Sequence, residues 1–148
     1  MNLAVALTAL AVAVLDAVTK AWARHSLSGH PHHVLGPLWL RLQYNTGISF
    51  SLNSSGPLVT TVATVAIAVG VVLVGLNARR GLPTAGFGLL IGGGVANVVD
   101  RLAASPHEVT DFIAVSSLPV FNLADVAITA GFVLLILAAL RGDRLVGR

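Results

Sequence analysis

The sequence predicts an all-α membrane protein with four transmembrane helices and a small β-rich segment outside the membrane between helices 1 and 2. Hydrophobic residues make up 55% of the 148 residues, and charged residues make up only 10%. A soluble domain carries about 25% charged residues, so this chain could not cover a water-facing surface. Four apolar stretches are also long enough to cross a bilayer, which takes about 20 helical residues. A chain of this length forms one integral membrane domain, residues 1–148.

The four spans are predicted at residues 2–23, 57–76, 83–99 and 121–140. A cleaved signal peptide is the alternative interpretation of the first span. No Lys or Arg precedes that span, and Asp16 and Lys20 interrupt its end, which argues against a signal peptide. We therefore expect the first span to remain as a helix.

The connections between the spans differ in length and composition. Residues 77–82 form a short turn, and residues 100–120 form the last connection. Residues 24–56 form a longer segment, whose middle, 34–52, mixes apolar, aromatic and polar residues with glycines. This mixture predicts short strands and turns at the membrane surface.

Basic residues predict the orientation of the chain in the membrane. Arg79 and Arg80 lie in the turn between spans two and three, and three more arginines lie in the C-terminal tail. The positive-inside rule makes this side cytoplasmic, so both termini are expected in the cytoplasm. Four basic residues lie on or near the other side: Lys20, Arg24, Arg41 and Arg101. Of these, Lys20 and Arg101 sit beside acids at helix ends, and we interpret them as ion-paired.

The basic charge of the chain does not indicate nucleic-acid binding. The formal net charge is +3, but the nine Lys and Arg residues are scattered along an apolar chain, whereas phosphate binding needs a basic face. The chain contains no cysteine, which excludes disulfides, thiolate metal sites and a cysteine nucleophile.

Acidic residues are rare, and most lie at the ends of predicted spans. Of the six, Glu108 lies in a loop and Asp143 lies in the tail. The other four fall at or beside span ends on the non-cytoplasmic side: Asp16, Asp100, Asp111 and Asp125. An ionisable group at membrane depth is costly, so each of these four is a candidate functional residue.

Asp111 and Asp125 differ from the other two acids in their neighbours. Lys20 lies four residues after Asp16, and Arg101 directly follows Asp100, whereas Asp111 and Asp125 have no cation within four residues. If Asp111 and Asp125 meet in a low-dielectric site, they must share a proton, and one acts as base while the other acts as acid. Such a pair can activate water against an amide. The alternative is helix capping, in which Asp125 caps span four and Asp111 caps a short surface helix.

Asparagines and glycines accompany these acids. On a helix, Gly93, Asn97, Asp100 and Arg101 share one face at the end of span three. Glycine would let a neighbouring backbone come close, and Asn97 would hold polar groups in the interior. Packing of small residues is the alternative, and it suits the glycines but not the Asn and Asp. A further asparagine, Asn45, begins the segment 45–50 between spans one and two. The alternative interpretation of this segment is an ordinary turn.

Five ordered segments resemble those of the lipoprotein signal peptidase (signal peptidase II) family. The first is Asp16 with Lys20, and the second is N-x-G-x-x-F at Asn45, Gly47 and Phe50. The third is G-G-x-x-x-N-x-x-D-R, with Gly92 or Gly93 followed by Asn97, Asp100 and Arg101. The fourth is V-x-D-F at Val109, Asp111 and Phe112, and the fifth is F-N-x-A-D at Phe121, Asn122, Ala124 and Asp125. Two departures are Ser49, where the family often has Ala, and a short loop at 112–121.

The resemblance implies an intramembrane aspartyl endopeptidase that cleaves bacterial prolipoproteins before the diacylglyceryl-modified cysteine of the lipobox. It implies that Asp111 and Asp125 are the catalytic pair. It also implies that these residues line or support the site: Asp16, Lys20, Asn45, Gly47, Phe50, Asn97, Asp100, Arg101, Asn122 and Ala124. The site would lie near the outer leaflet of the cytoplasmic membrane. The partners would be lipidated prolipoproteins and the lipid bilayer, with no nucleic acid, metal or cofactor.

Three other classes of protein fit the sequence less well. A proton-coupled carrier or channel subunit would place its acids near mid-span, whereas these acids lie at one face. A non-catalytic scaffold or holin-like protein has no use for five ordered polar segments. A metalloprotease would use the histidines, but the stretch from His30 to His33 lacks H-E-x-x-H spacing, and Pro31 argues against a helix that would orient them.

Overall fold

The computed structural model describes residues 2–46, 56–104 and 107–147. Within these ranges, four helices are long and apolar enough to cross a membrane. They are α1 (Leu3–Ser26), α2 (Gly56–Gly75), α3 (Leu82–Ala103) and α4 (Leu123–Leu140). The predicted fold class is confirmed. Helices α1 and α3 continue past the predicted span ends at 23 and 99, because their last turns carry charged residues that hydropathy places outside the apolar stretch.

Apolar side chains cover the outward faces of the helices. Leu10 of α1, Ile67 of α2 and Ile136 of α4 are each more than half exposed. Large contiguous apolar surface is unusual on a soluble monomer and is what a lipid environment requires.

The start of α1, the turn between α2 and α3, and the C-terminal tail meet at one end of the bundle. Asn2 Nδ2 donates to Thr84 Oγ1 at 2.8 Å and to the carbonyl oxygen of Ala78 at 3.3 Å. Ala78 also pairs with Val146 of the tail as an isolated antiparallel β-bridge. The four candidate acids at span ends lie towards the opposite end, where α1 and α3 finish and α4 begins.

Helix α3 packs against each of the other three helices, and its glycines allow the closest approaches. A Cβ atom built on Gly92 would lie 2.7 Å from the carbonyl oxygen of Ala9 in α1. One built on Gly93 would lie 2.5 Å from the carbonyl oxygen of Ala124 in α4. The triple glycine left the motif register open in the sequence, and the structure uses both Gly92 and Gly93, one against each neighbouring helix.

Replacing Gly93 by alanine is expected to lower the free energy of unfolding by about 1–3 kcal/mol, because the new methyl group would overlap a backbone oxygen of α4. Thermal unfolding of the purified protein in detergent measures this effect. Gly94→Ala is the matched control, since a Cβ atom there would lie 3.9 Å from the Cβ atom of Ala68, which is ordinary van der Waals contact. Equal Tm values for the two variants would contradict the close α3–α4 contact.

The β-rich segment is a three-stranded antiparallel sheet with the order β1-β2-β3. Strands β1 (His32–Leu35) and β2 (Leu38–Asn45) lie between α1 and α2, as the sequence predicts. Strand β3 (Val109–Val115) comes from the connection between α3 and α4, for which the sequence predicted no strand. Phe112 of β3 packs with Ala23 and Leu27 of α1, so the sheet is held on the end of the helical bundle.

Strand β3 corrects one interpretation of Asp111. The capping alternative placed Asp111 on a short surface helix, but Asp111 lies in the middle of β3, opposite Gln43 of β2. Residues 109–112 are all buried, so the strand lacks the alternation of apolar and polar residues that identifies a strand exposed on one face.

Candidate active site

The site is assembled from four elements at the sheet end of the bundle. Asp16 comes from α1, Asp100 from α3, Asp111 from β3 and Asp125 from α4. Hydrogen bonds and ion pairs connect all four acids through a small set of asparagine and lysine side chains. The convergence expected from the sequence is therefore present in the fold.

Asp111 and Asp125 are the two acids that have no cation nearby in the sequence, and Asp111 is the more buried of the two. Its side chain is buried and accepts hydrogen bonds from Asn45 Nδ2 of β2 at 3.0 Å and from Asn122 Nδ2 at 2.6 Å. Burial raises the pKa of Asp111 to about 6, and the charge of Asp125 acts in the same direction, while the hydrogen bond from Asn45 opposes the shift. A carboxyl group with such a pKa can hold or release a proton near neutral pH.

Asp125 lies in the first turn of α4 and is partly buried. Asn122 is the N-cap residue of α4, and it forms a capping box with Asp125. Asp125 Oδ2 accepts from the backbone N–H of Asn122 at 3.1 Å, and Asp125 Oδ1 accepts from Asn97 Nδ2 at 2.9 Å. The capping alternative for Asp125 is thus partly correct, but capping occupies one carboxylate oxygen and leaves the other oriented by Asn97.

Asn97 and Asn122 link the two acids in a continuous chain of hydrogen bonds. Asn122 Nδ2 donates to Asp111 Oδ1 and, at 3.2 Å, to Asn97 Oδ1, while Asn97 Nδ2 donates to Asp125. Asn122 is completely buried. Each carboxylate therefore receives at least one side-chain amide, as a buried polar network requires.

Lys20 is a second centre of the site and is fully buried. Its ammonium lies 2.7 Å from Asp16 and 3.3 Å from Asp100, and it donates to Asn97 Oδ1 at 2.9 Å. The other oxygen of Asp16 accepts from the backbone N–H of Ala124 at 2.8 Å, which ties α1 to the first turn of α4. The expected pairing of Lys20 is present.

Among the described residues, Arg101 does not form the ion pair with Asp100 that we expected. Asp100 is instead bound by Lys20 and by Arg24, whose Nη1 lies 3.2 Å away. Adjacent residues of a helix point in different directions, so Arg101 does not face the side chain of Asp100. Arg24 was not among the predicted site residues, although it follows Lys20 by four residues and Asp16 by eight, so all three lie on one helix face.

Arg101 is buried and weakly bound. Its Nη1 donates to the carbonyl oxygen of His107 at 3.4 Å, and its Nε has no hydrogen-bond partner among the described residues. The charge of Arg101 acts on both Asp111 and Asp125. The two acids lack a cation nearby in sequence, but the fold supplies cations from other elements.

An apolar groove of about 560 Å³ lies beside Asp125. It is lined by Leu118, Pro119, Phe121, Asp125, Val126, Thr129 and Ala130. Among the residues that the structure describes, Asp125 is the only ionisable one in that lining, so the groove places apolar surface directly beside a carboxylate.

Other predicted residues are placed as follows. Asn45 lies at the end of β2 and bonds to Asp111, whereas Gly47 and Phe50 lie outside the described residues. Among the residues that the structure describes, no three His, Cys, Asp or Glu side chains are grouped so that they could hold a metal ion. His33 packs against Trp39, with ring centroids 4.6 Å apart and the ring planes tilted by 50°.

The model of one protein family, signal peptidase (SPase) II, matches residues 8–141 of the chain. The chain belongs to the signal peptidase II family. The match contains every candidate acid from Asp16 to Asp125. Membership makes this protein a multi-pass membrane peptidase.

Individual relatives and a solved structure agree with this assignment to the signal peptidase II family. A lipoprotein signal peptidase of Chlorobaculum tepidum is 38% identical, over 88% of this chain and 90% of the relative. One from Rhodococcus jostii is 35% identical, over 88% of this chain and 69% of the relative. The peptidase is also similar to the solved structure of a bacterial membrane enzyme, with a TM-score of 0.83, 26% identity and 95% coverage of both chains.

Proposed function

We propose that this chain is an intramembrane aspartyl endopeptidase that removes the signal peptide from bacterial prolipoproteins. In this proposal Asp111 and Asp125 are the catalytic pair, and the bond before the diacylglyceryl-modified lipobox cysteine is hydrolysed. The observation that carries the proposal is the hydrogen-bonded chain from Asp111 through Asn122 and Asn97 to Asp125. The relatives named as lipoprotein signal peptidases support the class of substrate.

The two carboxyl groups take opposite roles in the first step. Asp125 lies in the first turn of α4, where the free backbone N–H groups and the helix dipole interact favourably with a carboxylate. Burial raises the pKa of Asp111 to about 6, which favours its protonated form. Asp125 is therefore the base that takes a proton from water, and Asp111 is the acid that donates to the scissile carbonyl oxygen.

The first step ends in a tetrahedral intermediate, and the second step reverses the two roles. In the first step the water oxygen bonds to the carbonyl carbon, one water proton moves to Asp125, and the Asp111 proton moves to the former carbonyl oxygen. When the carbon–nitrogen bond breaks, Asp125 returns its proton to the leaving amine and Asp111 recovers its own. The products are a signal peptide with a new carboxyl group and a lipoprotein with a free amino group on the modified cysteine.

The surroundings of Asp125 suit a lipidated peptide. The apolar groove beside Asp125 would admit an apolar part of the substrate without requiring it to leave a nonpolar environment. On the opposite side, Lys20, Asn97 and Asn122 hold the acids in place. Arg101 has an unpartnered Nε among the described residues, which makes it a candidate contact for a substrate carbonyl.

Cleavage of a purified substrate tests the proposal. The protein reconstituted in lipid should convert a diacylglyceryl-modified prolipoprotein to a product whose mass places the cut directly before the modified cysteine. The same precursor without its diacylglyceryl group is the matched control and should be cleaved far more slowly. Equal cleavage of both precursors, or a cut at another bond, would contradict the proposed specificity.

Topology mapping tests the predicted orientation in the cytoplasmic membrane. The turn between α2 and α3 and the C-terminal tail lie at one end of the bundle, and the catalytic acids lie towards the other. A reporter fused after the last residue is expected to be active only in a cytoplasm-reporting format, and one inserted near Gly29 only in an external format. Reporters that both score on the same side would contradict the four-span arrangement.

A further inference from the structure

Lys20 contacts the catalytic network through a single atom of Asn97. Its Nζ donates to Asn97 Oδ1 at 2.9 Å, and Asn97 Nδ2 donates in turn to Asp125 Oδ1 at 2.9 Å. We propose that Lys20 is a positioning residue, which fixes the amide orientation of Asn97 so that its NH2 group always faces Asp125. This inference rests on the proposed function and assigns Lys20 a role beyond ion pairing.

The donors and acceptors of Lys20 and Asn97 decide how the amide is oriented. An asparagine amide has an acceptor end and a donor end of nearly equal size, so its shape alone does not decide which end faces a neighbour. A lysine ammonium has only donors, so it binds the oxygen end and rejects the NH2 end. With its oxygen held by Lys20, Asn97 must present its NH2 group to Asp125.

The other donor to Asn97 is weaker in geometry. Asn122 Nδ2 lies 3.2 Å from Asn97 Oδ1 but only 2.6 Å from Asp111 Oδ1, and it also approaches the carbonyl oxygen of Thr110 at 3.4 Å. The two hydrogens of the Asn122 NH2 group are therefore shared among three acceptor oxygens, and the shortest of the three contacts is the one to Asp111. Lys20 has the shorter and charge-assisted bond to Asn97, so it has the larger influence on its orientation.

The charged groups that contact or act on this network come from α1, α3, β3 and α4. On α1 they are Asp16, Lys20 and Arg24, and on α3 they are Asp100 and Arg101. Asp111 lies on β3 and Asp125 on α4. Among these groups, Lys20 acts on Asp111 in the direction that lowers the pKa of Asp111, against the larger effect of burial. Loss of the ammonium is therefore expected to raise the pKa of Asp111 further.

A pair of variants that differs only at residue 20 separates positioning from ion pairing. Lys20→Met alone would leave the buried Asp16 without its closest cation, and a protein with an unpaired buried charge can fail to fold. Asp16→Asn removes that charge and keeps one oxygen, which can accept either from the N–H of Ala124 or from Lys20. The informative comparison is thus Asp16→Asn against Lys20→Met/Asp16→Asn, with kcat and KM measured on lipidated prolipoprotein and Tm measured in detergent.

We expect the two variants to fold with similar Tm values and to bind substrate with similar KM, because Lys20 is buried and cannot touch the substrate. The variant that lacks the ammonium should lose about a hundredfold in kcat, as small misplacements of catalytic groups do. Its pH profile should shift as well, with the limb that reports Asp111 at higher pH. In the same Asp16→Asn background, Lys20→Arg, which keeps a donor-only cation, should retain more kcat than Lys20→Met.

Each other outcome is informative. Failure of the parent protein to cleave would overturn the proposed function itself. If the parent cleaves and the two variants have equal kcat, or differ only in KM, Lys20 does not position Asn97. If Asp16→Asn folds but the variant without the ammonium does not, Lys20 acts through stability alone and the positioning role is wrong.

Discussion

Asp111→Asn and Asp125→Asn are each expected to abolish cleavage of lipidated prolipoprotein, with kcat at least about a thousandfold below the parent's. Asparagine preserves the size of the side chain, and its amide oxygen can still accept one of the two hydrogen bonds that each carboxylate accepts. It cannot take up a proton from water or return one to the leaving amine. The measurement is single-turnover cleavage followed by mass spectrometry, with substrate binding measured separately and expected to persist.

Two further variants complete this prediction. The double variant Asp111→Asn/Asp125→Asn should be little slower than either single variant, because the two carboxyl groups act as one unit. Asp143→Asn is the matched control, since Asp143 is an exposed acid of the C-terminal tail, and it should cleave at the parental rate. A folded Asp111→Asn or Asp125→Asn protein that cleaves at a rate close to the parent's would disprove the assignment for that residue.

The second largest effect is expected from Asn122→Ala. This change removes the 2.6 Å hydrogen bond to Asp111 and the N-cap oxygen of α4 together. We expect kcat to fall about a hundredfold, because a carboxylate pair that has lost a hydrogen bond is misplaced and its proton affinity is altered. KM should change little. Loss of the cap should also lower the free energy of unfolding by about 1 kcal/mol.

Asn97→Ala separates the two contributions of Asn122. Asn97 donates to Asp125 but caps no helix, so it should lower kcat without the loss of capping stability. Asn77→Ala, at an exposed asparagine of the α2–α3 turn, is the control and should behave as the parent does. Parental turnover in both Asn97→Ala and Asn122→Ala would show that the acids are held by other groups.

Much of the fold follows from hydropathy because the lipid imposes a simple requirement on each span. Each helix must bury its backbone hydrogen bonds internally, and its outward face must be apolar, so a long apolar stretch is sufficient to identify it. Strand β3 was not predicted because its residues 109–112 are all buried and show no alternation. Its position also depends on pairing with β2, a contact between segments more than 60 residues apart that local sequence does not encode.

The candidate acids were identified from the sequence because charged residues in an apolar chain are costly and few. The network around them was only partly predicted. Arg24 and Thr110 were missed, since their contact at 2.8 Å joins α1 to β3 and exists only in three dimensions. The absence of cations near Asp111 in sequence was likewise misleading, because the fold brings the charges of Lys20 and Arg101 to bear on it.

If Asp111 and Asp125 share a proton near neutral pH, infrared difference spectroscopy of the protein in lipid should detect the protonated carboxyl group. We expect a protonated carboxyl band that forms as the pH falls through about 6 and is absent from Asp111→Asn. In Asp125→Asn the same band should form only at lower pH, because the neighbouring negative charge that favours protonation is gone. If the carboxyl group lost in Asp111→Asn titrates only near about 4, the ordinary value for aspartate, the two acids do not form such a pair.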